Sequence, residues 1–203
     1  MQNSFFAAIS RMKYIVRWAL MRSARPENIS EHSGEVAVIA HALAVIGSTR
    51  YGRKISPERA AIIGLYHDAP EIITGDMPTP VKYGSEEIRE AYHTVEEKAA
   101  RRLLSGLPED LRPAYESILL ERPESDEDRY LLRLVKAADK MSALIKCIEE
   151  EKAGNTEFVT AAASTRKSLD SMAEEMPEVR DFMRDFLPSY GRTLDELLKG
   201  DQE

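Results

Sequence analysis

The sequence lacks several features that would each point to a class of protein. Its 203 residues include a single cysteine, Cys147, so no internal disulfide can form. In "ALIKCIEE" that cysteine is most simply a small buried hydrophobe, which fits a reducing, cytoplasmic setting. The N-terminus shows no basic leader before a long apolar run, and no stretch approaches the roughly 20 apolar residues of a membrane span. We therefore expect neither a signal peptide nor a membrane as partner.

Positive charge is also scarce. Lys and Arg number 28 against 35 Asp and Glu, which gives a formal net charge of −7. A surface that binds nucleic acid needs clustered Lys and Arg to displace counterions, so the composition argues against a nucleic acid polymer as partner. It does not exclude a small basic pocket for one phosphate. The length suits one domain with a sizeable core, or at most two small ones.

Strand-like alternation, internal repeats and low-complexity tracts are absent, and helical periodicity dominates instead. An amphipathic helix is expected from about Phe5 to near Arg17 and Trp18. A second helix should begin near Ser30, or near Asn28 with Glu31 completing a capping box, and Gly47 should end it. The chain would thus enter its second helix through a short loop.

The rest of the chain continues the helical pattern. Ser56 as N-cap and Pro57 at the first position open a third helix, and Pro70 should kink or restart it. "TGDMPTPVKYG" is expected to be loop. The remaining expected segments are a helix over 85–105 with an apolar seam of Ile88, Tyr92, Val95 and Ala99, a short helix to about Leu120, a long helix from Ser125 to Gly154, and helical segments to about residue 199. The fold class is therefore all-α, a single-domain helical bundle spanning residues 1–203.

Four ionisable side chains lie on the apolar faces of these helices, where polar residues are informative exceptions. His32 begins one stripe, His67 and Asp68 end another, and Asp139 interrupts "LVKAADKMSAL". Each alone has an ordinary explanation: a core histidine bonded to a carbonyl, a helix cap, or an ion pair with a neighbouring lysine. Together, two His and two Asp supply nitrogen and oxygen ligands for one divalent cation and leave positions open for water and substrate.

The order His, His-Asp, Asp matches the signature of the HD-domain metal-dependent phosphohydrolases, and longer segments resemble the YfbR-like 5′-deoxynucleotidases. These segments are "RW" at 17–18, "RPENISEHSGEVAVIAHAL" from 25, "HDAPEIITGDMPTPVKY" from 67 and "VKAADKMSALIKCIEEEKAGN" from 135. The resemblance covers most of the chain and keeps the helix order. It implies an all-α HD fold, a homodimer, and hydrolysis of deoxyribonucleoside 5′-monophosphates to deoxynucleoside and phosphate.

The resemblance also implies one divalent cation, held by His32, His67, Asp68 and Asp139. We expect Co²⁺ to serve in vitro, with Mn²⁺, Cu²⁺, Zn²⁺ and Mg²⁺ as alternatives. One ion fits the histidine count better than two, because one remaining histidine faces away from His32 and the other lies in a charged helix.

Other residues of the resemblance would act on the substrate. Arg17 resembles an arginine that orients the phosphate, for which a planar guanidinium is suited. Trp18 resembles the residue packed against the sugar, where a rigid indole would clash with a 2′-hydroxyl. Glu71 resembles the catalytic carboxylate, although the proline at position 70 replaces a small polar residue and could change its direction. The implied catalytic set is Glu71, Arg17 and Asp68, and the implied substrate-binding set is Arg17, Trp18, His32, Asp68, Asp76, Met77, Pro78, Thr79 and Asp139.

Several alternatives stay open at this level. Glu71 could act as general base towards water or as general acid towards the leaving 5′-oxygen. Another HD phosphohydrolase, acting on (p)ppGpp or on nucleoside triphosphates, would use the same ligands. A non-catalytic nucleotide-binding helical module or regulatory dimer would also keep the site without turnover.

Overall fold

The computed structural model describes residues 3–82, 84–120 and 122–199, and within them the chain is helical. Its α-helices are α1 (Phe5–Ile9), α2 (Ile29–Tyr51), α3 (Pro57–Tyr66), α4 (Glu71–Thr74), α5 (Thr79–Lys82), α6 (Glu86–Leu104), α7 (Arg112–Leu119), α8 (Asp126–Lys152), α9 (Val159–Glu175), α10 (Pro177–Asp185) and α11 (Leu194–Leu198). No β-strand forms in the described residues, where the only extended pairing is an isolated bridge between Val16 and Asn28. The all-α class expected from the sequence is confirmed.

The start of α2 follows the predicted capping box. The Asn28 side chain accepts the Glu31 backbone N–H, and the Glu31 carboxylate accepts the Asn28 backbone N–H. The predicted end at Gly47 is wrong, because α2 continues to Tyr51 and ends at Gly52 with φ 65°. A glycine inside a helix costs only about 1 kcal/mol. That cost is offset where the last turn docks on α10, for example through the Tyr51 hydroxyl, which donates to Asp181 at 2.9 Å.

The predicted N-terminal helix, from Phe5 to near Arg17 and Trp18, is too long. After α1 the chain forms a 3₁₀ turn over Ser10–Tyr14 and then runs extended. The Arg17 N–H donates to the Glu27 carbonyl, and the Ile29 N–H donates to the Ile15 carbonyl, each at 2.9 Å. The run Tyr-Ile-Val at 14–16 has low helix propensity and suits this pairing. As a result, residues 17 and 18 lie beside the first turn of α2.

The middle of the chain follows the sequence in part. Ser56 caps α3, with Pro57 at its first position, and Pro70 precedes the short α4, as predicted. The expected loop after it contains the single turn α5, so that part of the prediction is wrong. The seam of α6 is also wrong, because Ile88 and Val95 are 43% and 47% exposed. The buried residues of α6 lie mostly in its C-terminal half: Tyr92, Ala99, Ala100, Leu103 and Leu104.

Helix α2 is the centre of the core, packed against α3, α8 and α10. By length and composition alone it is apolar enough to cross a membrane, contrary to the sequence expectation, but half of its apolar window is buried inside the fold. Ser125 caps the start of α8, with its hydroxyl accepting the Asp128 N–H, and α8 ends two residues before Gly154. Helices α2, α3 and α8 all contact one another, so residues from the three can reach a common site.

Candidate metal and nucleotide site

The four predicted ligands come from these three helices and meet at one point. His32 lies in the first turn of α2, His67 is the residue after α3 with Asp68 next to it, and Asp139 lies near the middle of α8. His32 Nε2 is 3.2 Å from Asp139 Oδ1 and 3.5 Å from Asp68 Oδ2. His67 Nε2 is 3.2 Å from Asp68 Oδ1 and 4.0 Å from Asp139 Oδ1. The structure thus brings together side chains more than a hundred positions apart.

Close helix packing places His67. A Cβ on Gly64 of α3 would lie 3.1 Å from the Ala37 Cα of α2, so any larger residue would push the two backbones apart by a few tenths of an ångström. The Gly64 carbonyl oxygen lies 2.7 Å from His67 Nδ1. A carbonyl only accepts, so Nδ1 carries the hydrogen and Nε2 faces the carboxylates.

The site fits a bound cation on its own geometry. The Nε2 atoms of His32 and His67 are buried, and neither has a hydrogen-bond partner of acceptable geometry among the described residues, although carboxylates stand 3.2 Å away. Buried polar atoms without partners are costly, which makes these two exceptions informative. Two imidazole nitrogens facing two carboxylates form a donor set suited to a divalent transition metal or zinc.

The charges of the site compensate one another only in part. Burial opposes charge on His67, but the neighbouring carboxylates, Asp68 first, outweigh it and raise the pKa of His67 to about 9. Burial also opposes charge on Asp68, yet His67 lowers the pKa of Asp68 to about 2. The pKa of Asp139 is likewise lowered, mainly by His32 against burial. Both carboxylates are therefore ionised at neutral pH and attract a cation. Its binding would displace the proton that His67 carries on Nε2 and leave the one on Nδ1.

Arg17 and Trp18 stand beside this cluster, held by a residue that the sequence analysis missed. Glu27 Oε2 accepts from Arg17 Nη1 at 2.7 Å and from Trp18 Nε1 at 3.1 Å. Burial opposes the charge of Arg17, but Glu27, Asp139 and Asp68 raise its pKa. The indole packs edge-on against Phe158, with ring centroids 5.2 Å apart. Nothing in the sequence marks Glu27 except its place in the segment that resembles the family.

The backbone of Trp18 is strained. Its φ is +60°, the only positive φ of a non-glycine residue among those described. Such a conformation costs about 1–3 kcal/mol and persists where surrounding contacts enforce it, commonly at functional sites. Here the Glu27 hydrogen bond and the Phe158 contact both act on the same residue.

Glu71 follows Pro70 directly and is the buried first residue of α4. Pro70 has φ −56° and acts as the N-cap of α4, where its missing N–H removes no helix bond. The Glu71 side chain is 6% exposed, and its Oε2 has no hydrogen-bond partner among the described residues. Burial, then the charges of Asp68 and Asp76, raise the pKa of Glu71 to about 9. The structure therefore brings Glu71 into the electrostatic field of the cluster.

The segment after α4 carries four of the predicted substrate-binding residues. Gly75 turns the chain with φ 73°, and the Tyr92 hydroxyl lies 3.4 Å from its carbonyl oxygen. Burial raises the pKa of Asp76, while Arg17 lowers it. Met77 and Pro78 are half-buried, whereas the side chain of Thr79 is outside the described part of the structure. The other two histidines, His41 and His93, are exposed and away from the cluster, as expected.

Comparison with known proteins agrees with this arrangement. A family model described as 5′-deoxynucleotidase YfbR-like matches residues 4–190. The 5′-deoxynucleotidase of Erwinia tasmaniensis is 45% identical over 195 residues, which cover 96% of each chain. An HD-domain phosphohydrolase from Listeria innocua, 26% identical, has a similar structure with a TM-score of 0.79, covering 93% of this chain and 88% of that one.

A second solved structure shares the fold at lower identity. It is the cyanophage S-2L HD phosphohydrolase DatZ bound to dA and one catalytic Zn²⁺, with 21% identity, a TM-score of 0.65, and coverage of 95% of this chain and 100% of that one. The family match and the curated relative both span nearly the whole chain. This chain therefore belongs to the YfbR-like 5′-deoxynucleotidase family and has the fold of the HD-domain phosphohydrolases.

Proposed function

We propose that this protein is a metal-dependent 5′-deoxynucleotidase, which hydrolyses deoxyribonucleoside 5′-monophosphates to a deoxynucleoside and phosphate. One observation carries the proposal: two buried imidazole nitrogens without hydrogen-bond partners face two carboxylates within 4.0 Å, beside a buried arginine. The curated relative of 45% identity, which bears this activity in its name, supports the same substrate class.

His32, His67, Asp68 and Asp139 would hold the cation. A divalent cation supplies Lewis-acid stabilisation of negative charge on a phosphoryl group and lowers the pKa of water. Two nitrogen and two oxygen donors suit Co²⁺, Zn²⁺ or Mn²⁺ better than Mg²⁺, which prefers oxygen ligands. With four donors from the protein, such a cation would still be able to bind a phosphate oxygen or water.

Arg17 binds the phosphate in this proposal. Glu27 engages only Nη1 of the guanidinium, so the other N–H groups remain for two phosphate oxygens. The ion pair also fixes the side chain before substrate arrives, which lowers the entropy lost on binding. With the phosphate held between Arg17 and the ligand cluster, water attacks phosphorus opposite the 5′-oxygen.

Glu71 transfers the proton. Because its pKa is raised to about 9, the carboxyl is protonated at neutral pH and suits a general acid better than a base. As the bond from phosphorus to the 5′-oxygen breaks, that oxygen takes the Glu71 proton and leaves as a hydroxyl. The attacking water stays on phosphorus as a hydroxyl and loses its other proton to solvent. Glu71 then recovers a proton from solvent.

The sugar is selected by the segment around Trp18. The indole is fixed by Glu27 and Phe158, and its backbone is strained. We propose that the rigid indole excludes a 2′-hydroxyl, while Asp76, Met77, Pro78 and Thr79 contact the sugar and phosphate side. The resemblance also predicts a homodimer, which light scattering during gel filtration would test.

The decisive experiment measures phosphate release from dAMP, AMP and 3′-dAMP with added Co²⁺ or Mn²⁺. We expect dAMP to be the better substrate than AMP; equal rates would contradict the role of Trp18 in sugar selection. Adding (p)ppGpp and dATP to the same panel separates the other HD phosphohydrolase activities. Metal binding without release from any substrate would favour a non-catalytic nucleotide-binding module.

A further inference from the structure

A chain of three polar groups extends from the proposed metal site into the protein. The other ring nitrogen of His32, Nδ1, lies 3.0 Å from Ser142 Oγ, and Ser142 Oγ lies 2.5 Å from Glu35 Oε2. His32 and Ser142 are fully buried, and Glu35 is half-buried. Glu35 lies one turn after His32 on α2, and Ser142 lies one turn after Asp139 on α8. The chain therefore joins the two helices that each present a ligand.

The single hydroxyl hydrogen of Ser142 fixes the direction of these bonds. An ionised Glu35 can only accept, so the serine hydroxyl must donate to it. Ser142 Oγ then has only lone pairs left for His32, so His32 Nδ1 must donate to Ser142. In a neutral imidazole that leaves Nε2 with its lone pair, facing Asp68 and Asp139. If the two hydrogen bonds ran in the opposite direction, Nε2 of His32 would be protonated and could not bind the cation.

We propose that Ser142 and Glu35 are positioning residues for the proposed metal site, which hold His32 as the tautomer whose Nε2 can bind the cation. Neither residue touches metal or substrate. Through the Ser142 hydroxyl, the Glu35 carboxylate also raises the basicity of the His32 imidazole, as hydrogen-bond partners of metal ligands commonly do. Burial, with smaller contributions from Glu149 and Glu27, raises the pKa of Glu35, whereas the hydrogen bond from Ser142 and the charge of Arg17 lower it. The direction of the Ser142 bond is given by its geometry, with the serine hydroxyl donating to Glu35 Oε2.

The inference rests on the proposed function, and it is tested through metal affinity rather than turnover. The probe is Co²⁺, whose visible absorption reports imidazole and carboxylate ligands, titrated in competition with a chelator. We expect Ser142→Ala to weaken Co²⁺ binding by about 10–100-fold, the loss typical for residues behind metal ligands. Glu35→Gln should weaken it less, because the amide oxygen still accepts from Ser142 but carries no charge.

Ser33 provides a matched control. It neighbours His32 on α2 and is as fully buried as Ser142, but its hydroxyl has no hydrogen-bond partner among the described residues. Ser33→Ala should therefore bind Co²⁺ as tightly as the wild type. A loss of equal size in both serine variants would contradict the proposal, because it would reflect general disturbance of the core.

A double-mutant cycle tests the order of the chain. If Glu35 acts only through Ser142, Glu35→Gln should have no further effect on Co²⁺ affinity once Ser142 is alanine. An equal effect in both backgrounds would overturn the relay, since Glu35 would then act directly through space. The tautomer gives an independent readout: in Zn²⁺-loaded protein with ¹⁵N-labelled histidine, His32 should show a protonated Nδ1, and a protonated Nε2 would also overturn it.

The same titration separates this inference from the metal site itself. Wild-type protein that fails to bind Co²⁺ would defeat the proposed metal site. Wild-type binding that is unchanged in Ser142→Ala would defeat only the positioning role of Ser142 and Glu35.

Discussion

Two buried glutamates, Glu71 beside the ligand cluster and Glu150 near the end of α8, have opposite electrostatics. Their side chains are 6% and 2% exposed. Burial disfavours charge on both, yet the pKa of Glu71 is raised to about 9 and that of Glu150 is lowered to about 2. Burial therefore does not decide the charge of a carboxyl; its neighbours do.

The neighbours of Glu150 are all donors. Its carboxylate accepts from the ammonium of Lys146, from the Ala24 N–H at 2.7 Å, from the Arg25 N–H at 3.2 Å and from Asn155 Nδ2 at 2.7 Å. These bonds fasten the loop that follows Arg17 and Trp18 to helix α8. The buried charge of Glu150 is thus compensated by donors, and its hydrogen bonds hold the loop that follows Trp18.

Among the charged neighbours of Glu71, the acids act more strongly than the bases. Asp68 and Asp76 repel its negative form, while the attraction of Lys82 and Arg17 is weaker. One carboxyl oxygen is left without a hydrogen bond among the described residues. Buried carboxyls that lack compensating partners have shifted pKa values and are typical proton-transfer groups, whereas compensated carboxylates stabilise the fold. This difference predicts that substitution of Glu71 lowers turnover, whereas substitution of Glu150 lowers stability.

The largest expected effect is on turnover, in Glu71→Gln. Loss of the transferable proton should lower kcat for dAMP by about 10²–10⁴-fold, the range typical of general acid catalysis. The same variant should unfold in urea at pH 8 no more easily than the wild type, because the amide removes an unfavourable buried carboxyl. Turnover equal to the wild type would show that Glu71 is not the proton donor.

Glu150→Gln should reverse this pattern and act on stability. Removing the carboxylate leaves the ammonium of Lys146, buried at 4% exposure, without its anionic partner and with the Arg25 carbonyl as an uncharged acceptor. Breaking a buried ion pair in this way typically costs about 3–5 kcal/mol. Urea unfolding of the metal-free protein measures the loss. Glu151→Gln, one residue further along α8 and exposed, is the control and should change stability by less than about 0.5 kcal/mol. An equal loss in both variants would contradict the special role of Glu150.

The ligand cluster shows what sequence reasoning can reach. Polar side chains on apolar helix faces are rare, so His32, His67, Asp68 and Asp139 stand out without a structure. Helix starts are likewise legible where one local side chain caps them, as Asn28 does for α2.

Other features depend on packing that no local pattern encodes. Gly47 stays helical because the turn beyond it docks on α10, and α6 buries a face other than the one through Ile88 and Val95. Glu35 and Ser142 are 107 positions apart and look like ordinary polar residues until α2 and α8 pack together. Partnerships across the fold follow from tertiary structure, whereas the residue types suited to them are visible beforehand.

The pH dependence of stability should separate the two glutamates by sign. The folded-state pKa of Glu150 is about 2, below its usual 4.5, so its contribution is present above pH 4.5 and is lost as the pH falls towards 2. The folded-state pKa of Glu71 is about 9, above 4.5, so stability relative to Glu71→Gln should fall as the pH rises from 4.5 to 9. Each slope is at most about 1.4 kcal/mol per pH unit. Urea unfolding of the metal-free variants across pH measures both, and slopes of the same sign would refute the contrast.

The smallest expected effect lies at the exposed edge of the same loop. Arg22 donates to Glu157 Oε2 through Nε at 2.9 Å and Nη2 at 2.7 Å, a geometry as good as that of the buried contacts. However, the Arg22 side chain is 93% exposed, so water already solvates its charge and salt screens the pair. Arg22→Ala should therefore cost less than about 1 kcal/mol in urea unfolding, and less still at 1 M salt. A loss comparable to that of Glu150→Gln would mean that geometry, and not the exclusion of water, sets the strength of ion pairs in this loop.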